Sequence, residues 1–266
     1  MKKKVKILII ATVLLASITA TIVYASTTTS SSEPEAIKTV STVSISKSSE
    51  IFEKLNTNST NVNSKVVYDD FKKLNLYEFE SENYFVDMNT KNELVGIYSK
   101  NVTTTQTVSN ANNSTAREYV LNKYNELNLP AEYELTYLEK FDDLIWQANF
   151  EKNYNGIYNK YESVKMFFIP DSDEIVALTV FNEGAKSSTV NISKEDAELT
   201  AAQNLGIDST EIKSTTLSME KANKFYDNSN SDTTIHPTWV IQSSDDTIVY
   251  VDAENNNVIG GDHINE

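Results

Sequence analysis

The spacing of apolar positions changes several times along the chain. A stretch with an apolar side chain at most positions runs over residues 7–24 and is densest over 7–16. Residues 26–48 are then mostly Ser and Thr, with few large apolar side chains. Such a segment cannot bury enough surface to offset its ordering entropy, which predicts a disordered tether. A short amphipathic piece over 50–55 sets Ile51, Phe52 and Leu55 on one helical side.

Farther on, helical and strand periods alternate. Thr115 to Glu118 has capping-box spacing and opens a predicted helix, with Ala116, Val120, Tyr124 and Leu127 on one face. It ends before Asn128, Leu129 and Pro130. Seventy-eight residues after Thr115, Ser193 opens a second helix with Ala197, Ala201, Ala202 and Leu205 on one face. Gly206 stands there where Asn128 stood in the first, and these two residue types best tolerate a left-handed helix terminus.

Strand-like runs follow each helix. After the first they cover 134–139, 144–150, 164–169 and 175–181, with a turn over 170–173. After the second they cover 212–219, 238–242, 247–251 and 258–259. Trp146 and Trp239 fall on equivalent strands, a place where Trp serves as a core anchor. A partial third copy comes earlier: Tyr84 to Met88, a polar turn, and Leu94-Val95-Gly96 parallel Val249 to Ala253, a polar turn, and Val258-Ile259-Gly260. The pattern predicts an α+β chain of tandem units, each one helix packed on a small antiparallel sheet. Its divisions are a leader over 1–25, the tether over 26–48, a partial unit over 49–100, and units over 114–182 and 192–262.

The unit from Ile192 to Gly261 resembles a PepSY domain. It reads ISKEDAELTAAQNLGI, then HPTWVIQ, then VYVDAENNNVIGG. Residues 114–182 look like a more diverged copy, in an arrangement similar to the YcdB/YcdC repeat proteins. The resemblance covers about 150 residues. The sequence departs from the family pattern at the hairpin turn, which has Asn where Gly is usual, and at the polar loop over 227–234. The resemblance implies a non-catalytic module that contacts another exported protein, as a peptidase inhibitor or folding aid acting in trans. It brings no catalytic residues.

Export is read from the N-terminus. Lys2, Lys3, Lys4 and Lys6 precede the apolar stretch, and Val23-Tyr24-Ala25 puts suitable residues before a cleavage between Ala25 and Ser26. The alternative is an uncleaved anchor, since 18 residues at 1.5 Å each nearly cross a hydrocarbon core of about 30 Å. Thr12, Ser17, Thr19 and Thr21 dilute the stretch and favour cleavage. Both readings place the rest outside the cytoplasm, secreted or at the cell envelope. Cleavage removes four lysines and no acid, taking the net charge from −15 to −19. A polyanion repels nucleic acid and anionic lipid, so neither is an expected partner; the membrane enters only through an uncleaved N-terminus.

Composition narrows the chemistry further. With no Cys there is no disulfide, thiolate nucleophile or Cys-bound metal. Six Gly, none in a G-x-G pair, exclude phosphate-cradling loops and the G-x-S-x-G turn. Two His, His236 and His263, cannot make a three-His metal site, and both read as surface residues rather than triad members. Acidic clusters at 171–174, 227–232 and 252–254 fit no EF-hand spacing and read as turns that bond their own backbone. No cofactor, metal or catalytic residue is predicted. The rival reading is an extracytoplasmic hydrolase or cell-wall enzyme with an acidic site that spacing does not reveal. The connection over 151–162 holds Tyr154, Tyr158 and Tyr161 together with Asn155 and Gly156, and is the predicted contact loop toward an exported protein, such as a peptidase.

Overall fold

The computed structural model describes residues 40–57, 62–69, 74–102, 104, 107–224 and 234–263. The predicted leader, its cleavage site at Ala25 and Ser26, the tether as far as residue 39, and nearly all of the polar loop over 227–234 lie outside them.

The elements follow a repeated order. Helix α1 (Thr42–Lys54) precedes β1 (Asn63–Asp69), β2 (Leu74–Glu80), β3 (Tyr84–Asn89) and β4 (Leu94–Ser99). Helix α2 (Asn113–Glu126) precedes β5 (Tyr133–Lys140), β6 (Trp146–Tyr154), β7 (Ile157–Ile169) and β8 (Glu174–Asn182). Helix α3 (Lys194–Leu205) precedes β9 (Ile212–Lys221), β10 (Ile235–Ser243), β11 (Thr247–Asp252) and β12 (Val258–His263).

The fold class differs from the prediction. The chain is mostly β, with 47% strand and 22% helix among the described residues. It does not form a series of small sheets each under its own helix. Eight strands join in one antiparallel sheet, ordered β1-β2-β3-β4-β8-β7-β6-β5, and four form a second, ordered β12-β11-β10-β9. The joint is β4 against β8, with Gly96 opposite Thr179, Ile97 opposite Leu178 and Tyr98 opposite Ala177. Edge pairing of this kind satisfies backbone groups that two separate sheets would each leave open.

A second correction concerns the tether. Residues 42–48 belong to α1, capped by Ser41, whose hydroxyl accepts from the Ser44 N–H at 3.1 Å. Ser44 and Ser48 are fully buried, and Ser48 Oγ donates to its own helix at Ile45 O, 2.9 Å away. A serine that bonds back to the backbone packs as a small side chain, so a Ser-rich stretch can still be a helix.

The chain divides into two compact units. Among the described residues, one holds those up to Leu127 together with Lys140–Trp146 and Met166–Thr179; the other holds Asn128–Glu139, Gln147–Lys165 and those from Val180 onward. In the first, Phe52, Phe79, Val86, Ile97, Val120 and Phe168 are fully buried. Tyr119 of α2 stacks on Phe168 with ring centroids 5.3 Å apart. Asn112 caps α2 through a capping box with Thr115, so the helix opens before the Thr115–Glu118 box expected from the sequence. In the second unit, Ala197 and Ala201 of α3 pack on Ile241, Val249 and Val251, all fully buried. Alanine at both contact positions lets the helix lie close to the sheet. Each such apolar side chain contributes on the order of 1–3 kcal/mol.

Turns are set by residues that accept a positive φ. Asn56, Asn128 and Gly206 end the three helices at φ 53, 54 and 70. Asn92, Asp173 and Asn256 turn the hairpins β3–β4, β7–β8 and β11–β12 at φ 63, 53 and 60. Among non-glycine residues, Asn and Asp enter this region most readily.

Candidate functional site

The predicted contact loop over 151–162 is not a loop. β6 runs to Tyr154 and β7 starts at Ile157, leaving Asn155 and Gly156 as a two-residue turn with φ 56 and 93. Two positive φ values in a row suit the right-handed twist of a hairpin, and Asn-Gly is the pair that adopts them most easily. Gly156 N–H also donates to Asn153 Oδ1 at 2.6 Å.

The strands separate the three tyrosines. Tyr154 is half-buried; its hydroxyl donates to Glu162 Oε2, while Lys152 Nζ holds Glu162 Oε1 at 2.8 Å. Tyr161 is half-buried as well; its hydroxyl donates to Glu220 Oε2 at 3.2 Å and Lys160 Nζ reaches Glu220 Oε1 at 2.7 Å. Both rings pack beside the cluster of Ile157, Met219 and Ile235. Burial, then the charge of Glu220, pushes the Tyr161 hydroxyl well above its ordinary pKa. Tyr158 alone is exposed, at 37%. Its hydroxyl donates to Glu134 Oε2 at 2.7 Å, and Asn153 Nδ2 reaches Glu134 Oε1 at 3.5 Å. A tyrosine from β7, an asparagine from β6 and a glutamate from β5 thus meet at one end of the sheet.

Sequence does not single out Glu162 and Glu220, since each stands among polar and charged neighbours in its strand. They are 6% and 4% exposed. A carboxylate buried to that degree needs a cation and hydrogen-bond donors, and each has one lysine and one tyrosine. Satisfied in this way, they hold strands together and are poorly placed to act as bases. Half-buried Lys165 has its pKa lowered by burial, and Glu151 has its own raised by burial.

This architecture has a counterpart among solved structures. The fold is similar to that of the Bacillus megaterium YpeB C-terminal domain. The match has a TM-score of 0.51 and 11% identity, and covers 86% of this chain and 100% of that domain. At this identity the likeness speaks for the fold. No protein-family model matches the chain, and no curated protein does.

Trp146 is 5% exposed; its indole N–H reaches Ser109 Oγ at 3.4 Å and Lys140 Nζ sits 5.6 Å from its ring centroid. Trp239 is half-buried, packs on the Ala197–Ala201–Ile241 cluster and donates to Ile192 O at 2.9 Å.

His236 is buried rather than on the surface, a departure from the sequence reading. It lies between Thr234 Oγ1, 2.5 Å from Nε2, and Asp252 Oδ2, 3.9 Å from Nδ1. The line-up looks like a triad, but 3.9 Å is too long for the carboxylate to orient the ring by a hydrogen bond. Asp252 instead caps its own turn, accepting from Glu254 N–H at 2.8 Å and Asn255 Nδ2 at 3.1 Å.

The first unit also holds a polar cavity of about 190 Å³, lined by Asn56, Asn83, Tyr84, Asp173 and Glu174 among others. Glu174 accepts from Ser99 Oγ at 3.3 Å, and Asp173 pairs with Lys123 Nζ at 2.9 Å. Among the described residues no group of His, Asp and Glu is arranged to hold a metal, and no helix is long and apolar enough to cross a membrane.

Proposed function

We propose that the chain is an exported PepSY-type module that acts by contact with another exported protein and carries no catalytic residues of its own. The likeness of its fold to the YpeB C-terminal domain, over the whole of that domain, carries this reading. The PepSY resemblance of Ile192 to Gly261 supports it independently, and the basic and apolar pattern of residues 2–25 supports export. An exported peptidase, inhibited or assisted in trans, is the partner that the resemblance favours.

The contact surface we assign is the end of the β6–β7 hairpin around Tyr158. Tyrosine offers a large amphipathic ring with few rotatable bonds. The bond to Glu134 fixes that ring before a partner arrives, which lowers the entropy lost on binding.

The test is capture from the native envelope and culture fluid with tagged wild-type protein, Tyr158→Phe and Tyr158→Ser, identified by mass spectrometry. One defined exported protein should be held by the wild type, held more weakly by Tyr158→Phe, which loses the bond to Glu134, and lost by Tyr158→Ser. Capture no different from that of an unrelated acidic exported protein would sink the contact reading. So would turnover of peptide or cell-wall substrates by the purified chain alone.

A further inference from the structure

Asn155-Gly156 is the only Asn-Gly pair in the chain, and it makes the whole of the turn between β6 and β7. Both residues are exposed, and no heavy atom lies within 4 Å of the place a Cβ on Gly156 would take. In such a pair the glycine nitrogen can attack the asparagine side chain, because no Cβ shields it.

The step exchanges one C–N bond for another. Solvent base removes the Gly156 N–H proton, the nitrogen attacks Cγ of Asn155, and the Cγ–Nδ2 bond breaks. The departing nitrogen takes up a proton and leaves as ammonia, closing a succinimide ring. Water then adds to either ring carbonyl and opens it to aspartate or isoaspartate. Solvent at the exposed turn supplies both the base and the water.

Two hydrogen bonds hold the reacting atoms. Gly156 N–H donates to Asn153 Oδ1 at 2.6 Å, and Asn155 Nδ2 donates to Ser188 Oγ at 3.0 Å. A hydrogen bond made by the protonated form of a group disfavours loss of its proton, so Asn153 slows the attack. The bond to Ser188 is made by the nitrogen that must depart, and it has to break.

We propose that Asn155-Gly156 is a self-modifying site, which converts to aspartate and isoaspartate as the chain ages, and that Asn153 and Ser188 set its rate. The two products differ in consequence. Aspartate adds a charge and keeps the turn, since Asp also accepts a positive φ. Isoaspartate carries the main chain through the side chain and lengthens it by a methylene. Turn length fixes the register of a hairpin, so this product displaces β6 against β7. The modification requires no contact with another protein at that end of the hairpin.

The test is incubation of the folded full chain in mildly alkaline water labelled with heavy oxygen, followed by peptide mass spectrometry. Ring opening leaves the label in the new carboxyl group. In wild type it should build up at residue 155 faster than at any other asparagine among the described residues. Asn153→Ala should raise that rate roughly 3–10-fold, the equivalent of one hydrogen bond. Asn153→Asp retains an acceptor for Gly156 N–H and should react at about the wild-type rate. If Asn153→Ala fails to fold by circular dichroism, Ser188→Ala decides in its place, with a rise in the same direction. The proposal is overturned if wild type gains no label at residue 155, or if the folded variant reacts no faster than wild type. It is equally overturned if Asn153→Asp reacts as fast as Asn153→Ala.

Discussion

Thr200 Oγ1 donates to Asn256 Oδ1 at 3.0 Å, tying the middle of α3 to the turn between β11 and β12. The other two hairpin turns of this kind are tied to their helices in the same way. Ser41 Oγ donates to Asn92 Oδ1 at 2.8 Å, and Lys123 Nζ pairs with Asp173 Oδ1 at 2.9 Å. In all three the turn residue has a positive φ, and its side chain reaches the helix. The polar residue therefore has two roles, one in the backbone and one in the clasp.

Substitution at Asn256 separates those roles. Asn256→Gly keeps the conformation and loses the clasp, at an expected cost of about 1 kcal/mol. Asn256→Ala loses the clasp and adds the penalty of a left-handed Cβ, for a total of about 2–3 kcal/mol. Urea unfolding of both variants measures the difference. Equal losses would mean that the backbone φ of 60 at Asn256 carries no strain for alanine.

The tryptophans should behave unequally. Trp146→Ala removes a side chain that is only 5% exposed and should cost about 3–5 kcal/mol. Trp239→Phe keeps most of the apolar area on the α3 cluster but removes the donor to Ile192 O, and should cost about 1 kcal/mol. Thermal or urea unfolding reads both. A loss below about 1 kcal/mol for Trp146→Ala would remove it from the core.

Much of the local structure is legible in the sequence. Asn128 and Gly206 match as helix ends by sequence alone, and both have positive φ. The runs after α2 and α3 contain the strand cores that form. The joint between β4 and β8 is not legible, because Leu94 to Ser99 keeps the same alternation whether its edge meets water or another strand. The start of α1 is hidden because serine composition reads as a linker, whereas Ser44 and Ser48 are buried in the fold. At the hairpin, Asn155-Gly156 marks a turn, but the tyrosines on either side make strands look like a long exposed loop. Burial of Glu162 and Glu220, beside the cluster of Ile157, Met219 and Ile235, explains why Tyr154 and Tyr161 turn inward.

Stability should fall in alkali, with Tyr98 contributing a definable share. Burial, then the nearby Asp87 charge, pushes the Tyr98 hydroxyl up to about 12 from an ordinary 10.0. The fold therefore prefers the protonated phenol. Its contribution is complete below pH 10 and is lost between pH 10 and about 12. The shift corresponds to about 2–3 kcal/mol across that window. Tyr98→Phe cannot ionise, so its stability should decline less steeply than wild type in urea unfolding at about pH 8, 10 and 11. Parallel declines would show that Tyr98 ionises in the fold as freely as in the unfolded chain.

The hairpin tyrosines give the sharpest contrast, because one hydroxyl is exposed and two are tied to buried carboxylates. Tyr154→Phe keeps the ring but strips Glu162 of a donor, leaving it to Lys152, and should cost about 1–3 kcal/mol. Tyr161→Phe does the same to Glu220, which retains Lys160 and Ser218, and should cost somewhat less within that range. Tyr158→Phe loses a bond made in water to Glu134, and its effect should stay within about 0.5 kcal/mol. The order expected in urea unfolding is therefore Tyr154, then Tyr161, then Tyr158. If Tyr158→Phe were the most damaging, the exposed ring would be a structural element. A contact role at that end of the hairpin would then lose its basis.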